Sequence, residues 1–239
     1  MCMKRAVLTI VTVLVGVLIV AGSVLAIAAF EEEPPFLEAK PAGTIQTAQG
    51  ELPHVTLDLS ILPNTSTEYP GPPGGINQVI ENNGVQQSEG WPFYWPSTSI
   101  RLPAHTAVTV KVKQYDGATT VWNPYWAEVH GTIDGTAKYN GKAQKRIEAD
   151  NVAHTFTIHQ YPENSQDTVF VSVPMLAVPN NAKNEANGYP APQEIEFTFI
   201  TPGPGEYIWN CEDPCGDAYR NFGGVMQARG WMSGRIQVV

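Results

Sequence analysis

The sequence has few basic residues and few His residues, and it lacks the common catalytic motifs. Lys and Arg number 14 against 23 Asp and Glu, which gives a formal net charge of −9. Such a surface repels nucleic acid, so we expect no nucleic-acid partner. The 239 residues contain no GxSxG motif, no Gly-rich phosphate loop and no HExxH motif. The 5 His residues include no HxH pair, so nothing in the sequence indicates an enzyme that acts on its own.

Cysteine is also scarce, and the three Cys residues differ in position. Cys2 precedes a long apolar segment and lies on the side of it that a cell keeps reducing. Cys211 and Cys215 lie far beyond that segment, in PGEYIWNCEDPCG, where oxidation to a disulfide is permitted. No His follows Cys215, so a metal site on this Cys pair must take its imidazole from earlier in the chain.

The longest apolar run covers residues 6–30 and contains no charged side chain. Because about 20 apolar residues cross a bilayer as a helix, the run predicts a transmembrane anchor over residues 1–30. Lys4 and Arg5 precede it and Glu31 follows it, which orients the anchor with its N-terminus in the cytoplasm. We therefore expect a single-pass protein of the cell membrane with an extracytoplasmic C-terminal domain. A cleaved signal peptide is the competing interpretation.

Residues 31–98 predict a tether and an irregular extension with one strand. Residues 31–52 are charged, contain Pro and show no period, as in a spacer. The alternation in HVTLDLSI at 54–61 predicts the single strand. Residues 62–98 return to Pro, Gly and Asn and end in the aromatic cluster WPFYWP at 91–96.

Residues 99–239 predict an all-β domain. Short alternating runs are separated by Gly, Pro and Asn, at 99–102, 106–113, 154–158, 168–173, 194–200, 206–210 and 235–239. Strands of this length with turns between them are typical of an antiparallel sandwich or barrel. An insertion at 114–152 interrupts the series and carries Trp122, Tyr125 and Trp126. These aromatic residues form either a partner surface or lid, or a small core of their own.

His154 and the two late Cys residues are the candidate metal ligands. His154 has the same strand parity as Phe156 and Ile158, so its imidazole shares their face of the sheet. A buried imidazole needs hydrogen bonds or a metal. Cys211 and Cys215, on a loop after a strand, either bind a soft metal together with His154 or form a disulfide. Imidazole with thiolate favours copper or zinc.

The order of these motifs resembles the cupredoxin superfamily. The segments SIRLPAHTAVTVKVKQYDG, AHTFTI, TPGPGEYIWNCEDPCG and GRIQVV follow one another over residues 99–239. The CxxxCG loop in particular is similar to the binuclear CuA domain of cytochrome c oxidase subunit II. The resemblance implies a cupredoxin-like Greek-key sandwich and copper as the cofactor.

The resemblance also implies a role for particular residues. His154 matches the first His ligand, Cys211 and Cys215 match the bridging thiolates, and Asp213 matches the residue that offers its backbone carbonyl. The family's second His and its Met fall on Tyr219 and Phe222, which supply neither an imidazole nor a thioether. Met226 is close enough in sequence to offer sulfur instead.

Two functions from different classes follow from this pattern. The first is a membrane-anchored electron carrier that binds copper and serves a respiratory chain, for example as the electron-transfer subunit of an oxidase. Its partner would be a membrane respiratory complex or a cationic redox protein, because the chain is acidic. The second is a metal-free accessory or binding subunit of a membrane complex, with a Cys211–Cys215 disulfide.

Overall fold

The computed structural model describes residues 2–30, 34–63, 92–119, 121–161, 167–185, 189–213, 215, 224–226 and 229–239. In this part of the chain one helix, α1 (Cys2–Phe30), precedes thirteen strands. The strands are β1 (Leu37–Glu38), β2 (Lys40–Thr47), β3 (Gly50–Leu62), β4 (Phe93–Trp95), β5 (Ser99–Leu102), β6 (Ala107–Gln114), β7 (Ala137–Tyr139), β8 (Lys142–Gln144), β9 (Val152–Gln160), β10 (Phe170–Leu176), β11 (Gln193–Ile200), β12 (Gly205–Asn210) and β13 (Ser233–Val238). Short 3-10 helices cover Pro124–Ala127, Ala149–Asn151 and Gly224–Met226.

The strands form two sheets, so the prediction of an all-β sandwich is confirmed. One sheet has the order β1-β5-β13-β12-β9-β10, and the other has the order β2-β3-β6-β11-β7-β8 with β4 paired to β3. Most neighbours are antiparallel, but the pairs β1–β5, β5–β13 and β3–β6 are parallel. The sandwich is therefore mixed, whereas the turn-rich sequence predicts a purely antiparallel one.

The expected membrane anchor is corrected by the structure. The side chains that are described in α1 are those of Arg5, Val7 and residues 9–25. Among the described residues, no helix has both the length and the apolar character to cross a membrane. The prediction of a single-pass membrane protein with an extracytoplasmic domain is therefore wrong.

Residues 31–98 contain more strand than the sequence predicts. Where one strand is expected, the structure has β1, β2, β3 and β4, and all four are hydrogen-bonded into the sheets. The strand β2 is mostly exposed and includes Pro41 and Gly43, so it shows no alternation of apolar and polar residues. Edge strands of this kind leave no periodic signal. Most of the expected irregular excursion, at 64–91, lies outside the described residues.

The core lies between the two sheets, where inward-facing side chains alternate with exposed ones. In β6, Val110 and Val112 are buried, whereas Lys111 and Lys113 are exposed. From the facing sheet, Phe156 packs against Phe197 of β11, with ring centroids 5.8 Å apart. Burial of this apolar surface is the main stabilising contribution to the fold.

The insertion at 114–152 packs on this core and also exposes aromatic residues. Seven of its apolar side chains are buried in the main core, namely those of Val121, Ala127, Val129, Ala137, Tyr139, Ile147 and Val152. Trp122, in contrast, is 94% exposed. Tyr125 packs edge-on against Trp126 at 5.2 Å and stacks on His130 at 4.2 Å. The insertion is thus an extension of the main core with an aromatic outer surface.

Candidate metal centre

Two neighbouring strands bring the candidate ligands together. His154 is the third residue of β9, and Cys211 follows directly after the last residue of β12. These strands are antiparallel neighbours, with Asn210 paired to Thr157. The backbone N–H of Thr155 donates to the sulfur of Cys211 at 3.3 Å, which holds the start of the Cys loop against β9. The grouping of His154 with the two Cys residues is therefore set by strand pairing.

Three donor atoms converge in the interior of the protein. His154 Nδ1 lies 3.1 Å from Cys215 Sγ and 3.9 Å from Cys211 Sγ, and the two sulfurs are 3.2 Å apart. His154 is 0% exposed, Cys211 1% and Cys215 2%. These ligand atoms all lie within 4.8 Å of one another, as is required of groups that hold one metal ion. Among the described residues, His154, Cys211 and Cys215 form the group of side chains that could hold a metal ion.

Both sulfurs belong to free thiols, and a backbone carbonyl lies beside them. The separation of 3.2 Å exceeds the about 2.05 Å of a covalent disulfide, so Cys211 and Cys215 are not bonded to each other in this structure. The carbonyl oxygen of Asp213 lies 2.9 Å from Cys215 Sγ and 3.4 Å from Cys211 Sγ. The loop thus presents two sulfurs and one oxygen on the same side as the imidazole.

The other nitrogen of the imidazole is bound by a carboxylate. His154 Nε2 donates to Asp116 Oδ2 at 2.9 Å. A carboxylate accepts hydrogen bonds, so the proton of this contact belongs to Nε2, and Nδ1 is directed at the sulfurs. A carboxylate on the far nitrogen is the usual arrangement around His residues that bind metals.

The charges of the three groups depend on one another. Burial lowers the pKa of His154, but the hydrogen bonds to Asp116 and Cys211 outweigh it and raise the pKa to about 10. Burial raises the pKa of Cys211, whereas hydrogen bonds from Cys215 and His154 outweigh this effect and bring the pKa well below the usual thiol value. The hydrogen bond to Cys211, together with burial, raises the pKa of Cys215 well above that value. Without metal, these shifts favour a thiolate at Cys211, a thiol at Cys215 and an imidazolium at His154.

The side chain of Asp213 is buried next to the sulfurs. Thr119 Oγ1 donates to its Oδ2, while its Oδ1 is buried without a hydrogen-bond partner among the described residues. Burial raises the pKa of Asp213 to about 6, and the nearby Cys211 thiolate adds to this effect. The sequence predicts only the carbonyl of Asp213 at the site, and the structure adds its carboxyl group.

The other His residues lie away from the centre. His54 hydrogen-bonds to Thr109, His130 stacks on Tyr125, and His159 contacts the carbonyl of Gln160 and the side chain of Asn210. His105 lies in the turn before β6, near Gly203. His154 is thus the imidazole of the centre, as the strand parity predicts.

The remaining predicted ligand, Met226, ends a short 3-10 helix and packs half-buried against the core. No described contact joins its sulfur to the three donor atoms, and its role as a ligand stays a prediction. Tyr219 and Phe222, which occupy the family's remaining ligand positions, lie outside the described residues.

Sequence reasoning missed three residues that contact the centre. Asp116 binds His154, Thr119 binds Asp213, and Tyr94 donates to the carbonyl of Thr155 at 3.0 Å. Burial raises the pKa of Tyr94 well above its ordinary value, so it remains a neutral donor beside the thiolate. A polar YDG turn directly after a core strand is the signal that marks Asp116 in the sequence.

Comparison with known proteins finds only distant matches, all of them to solved structures. No protein-family model matches the chain, and no curated protein matches it. Solved structures that match the chain include auracyanin B, with a TM-score of 0.33 and 11% identity over 84% of this chain and 97% of that chain. The auracyanin of the photosynthetic bacterium Roseiflexus castenholzii has a TM-score of 0.31 and 14% identity over 77% and 96%. Rusticyanin from Thiobacillus ferrooxidans has a TM-score of 0.31 and 12% identity over 89% and 90%. These neighbours are cupredoxins.

Proposed function

We propose that this protein binds copper through His154, Cys211 and Cys215 and transfers electrons. The observation that carries the proposal is the convergence of one imidazole and two free thiols within 4.8 Å in a buried site. Structural His and Cys residues are normally satisfied by backbone groups or by apolar packing. Here the donors point at one another, as the ligands of one ion do.

The donor set fits copper better than it fits hard cations. Thiolate and imidazole ligands suit Cu(I), Cu(II) and zinc, whereas Mg²⁺ and Ca²⁺ take oxygen ligands. Cys211 and Cys215 would supply soft sulfur, His154 would supply nitrogen, and the carbonyl of Asp213 would supply a weak oxygen. Compared with the subunit II domain that the motifs resemble, this centre has a single imidazole. Its copper chemistry need not be that of CuA.

Electron transfer is favoured over hydrolysis by the closed surroundings of the site. Copper supplies one-electron chemistry when it is bound, because it is stable in two oxidation states. The donors are nearly inaccessible to solvent, so a substrate has no open position to occupy. Two of the donors adjoin paired core strands, which are the most rigid part of a domain. A cationic redox protein is the partner that the net charge of −9 would attract.

Copper titration of the reduced full-length chain tests the proposal. We expect the protein, once it is loaded with Cu(I), to retain the metal against a competing chelator. After oxidation it should show thiolate-to-copper absorption and a reversible redox wave. The proposal would be overturned if the reduced protein does not retain copper although the thiols of Cys211 and Cys215 are both titratable. Quantitative recovery of a Cys211–Cys215 disulfide from native protein, without copper, would support the metal-free accessory function instead.

Copper binding is expected to strengthen as the pH rises. Below the pKa of about 10 of His154 and the raised pKa of Cys215, both groups hold a proton that the metal must displace. Two displaced protons correspond to an increase in apparent Cu(I) affinity of about 100-fold per pH unit near neutrality. Competition titrations at several pH values measure this slope. A Cys215→Ser variant should show a slope of about tenfold per unit, and a wild-type affinity independent of pH would contradict the assigned charges.

A further inference from the structure

Asp116 joins the metal centre to the opposite sheet of the sandwich. It lies two residues after the end of β6, whereas His154 belongs to β9 in the other sheet. Its Oδ2 accepts the Nε2–H of His154 at 2.9 Å, and its Oδ1 accepts the backbone N–H of Gly117 at 2.7 Å. Both carboxylate oxygens are thereby held in place.

A buried glutamine fixes the backbone of Asp116. Gln114 is 0% exposed, and its Nε2 donates to the carbonyl of Asp116 at 2.8 Å and to that of Leu176 at 3.2 Å. Its Oε1 accepts the backbone N–H of Asp116. The N–H of Val178 also donates to the carbonyl of Asp116, at 2.9 Å. The turn after β6 is therefore tied to the segment that follows β10 in the sheet of the metal centre.

The ion pair of Asp116 and His154 differs from three surface ion pairs, which are Lys40–Asp58, Arg101–Glu38 and Lys138–Glu196. In those pairs both side chains are 36–71% exposed, and such surface pairs contribute little to stability. In this pair the His154 side chain is 1% exposed and that of Asp116 is 23% exposed. Burying the imidazole of His154 costs desolvation, and the hydrogen bond to Asp116 offsets part of this cost.

We propose that Asp116 is the positioning residue of the metal centre, and that Gln114 holds Asp116 in its working position. The inference rests on the proposed function, because it assigns how the imidazole is prepared for metal. With Nε2–H held by the carboxylate, the ring cannot turn over, and Nδ1 faces Cys211 and Cys215. Asp116 acts through His154 and does not itself touch the sulfurs in any described contact.

The proposal is tested with Asp116→Ala and Asp116→Asn in the full-length chain. In metal-free, ¹⁵N-His-labelled protein, we expect a slowly exchanging Nε2–H signal of His154 that Asp116→Ala loses. The Asn variant should retain it, because its side-chain oxygen still accepts the bond. Cu(I) affinity should fall about 10- to 100-fold in Asp116→Ala and less in Asp116→Asn.

Asp58→Ala is the matched control, since Asp58 forms an exposed ion pair with Lys40 on the other sheet. It should change neither the signal nor the affinity. An Asp116→Ala protein that folds and keeps both the Nε2–H signal and wild-type Cu(I) affinity would overturn the proposal. If Asp116→Ala does not fold, absence of the signal from the wild type or from Asp116→Asn overturns it. A wild type that shows the signal but binds no Cu(I) would overturn the proposed function and leave the Asp116–His154 contact supported.

Discussion

Replacing Cys215 with Ser is expected to alter the thiolate-to-copper absorption of the oxidised protein and to weaken Cu(I) binding by more than about 100-fold. Changes to residues that only support a ligand cost 10- to 100-fold in affinity, so loss of a ligand costs at least as much. Cys215 Sγ is the sulfur closest to His154 Nδ1, at 3.1 Å, and it also lies 2.9 Å from the carbonyl of Asp213. A hydroxyl in this place is a harder and poorer ligand for copper.

Cys2→Ser is the matched control, because it makes the same change at the N-terminal end of α1. It should leave absorption and Cu(I) affinity unchanged. Cys211→Ser should resemble Cys215→Ser, since the two sulfurs are 3.2 Å apart and face the same imidazole. A Cys215→Ser protein with the absorption spectrum and the Cu(I) affinity of the wild type would contradict a centre that uses both sulfurs.

Trp209→Ala is expected to lower the free energy of unfolding by about 3–5 kcal/mol. Trp209 is 0% exposed and stacks on Phe156, with ring centroids 4.8 Å apart. Its ring also packs edge-on against Tyr94 at 4.8 Å, and its Nε1 donates to the carbonyl of Thr98 at 2.8 Å. The substitution leaves a cavity and a buried carbonyl without its donor. Urea denaturation of the metal-free protein measures the loss.

Trp122→Ala provides the comparison for this prediction, because it is the same substitution at a side chain that is 94% exposed. We expect the free energy of unfolding to change by less than about 0.5 kcal/mol. Trp209→Phe should recover part of the loss, since it restores ring packing but not the hydrogen bond to Thr98. Equal effects of the two Trp→Ala substitutions would contradict the described burial.

The central part of the site is predictable from local patterns. Strand parity places His154 on the buried face with Phe156 and Ile158, and the structure buries all three. The spacing of Cys211 and Cys215 predicts a shared position, and their sulfurs are 3.2 Å apart. Both inferences concern residues within a few positions of one another, where backbone geometry alone determines which side chains meet.

Contacts between the sheets are not predictable in the same way. Asp116 contacts His154 from the opposite sheet, at a sequence separation of 38 residues. Its partner is decided by which strands pair and how the sheets face each other, and neither is encoded in a local period. The additional strands in residues 31–98 were not predicted for a related reason. β2, for example, is an exposed edge strand that contains Pro and Gly, so its sequence shows no alternation.

Burial of the three donor atoms affects how fast the proposed site gains and loses a metal ion, and this rate is distinct from the affinity of the site for the ion. With His154, Cys211 and Cys215 at 0%, 1% and 2% exposure, an ion from solvent reaches the sulfurs only when the surrounding residues open. Such local opening is slow compared with the passage of an electron between fixed sites. In the proposed copper centre, an ion that is acquired once is therefore expected to serve many redox turnovers before it is released.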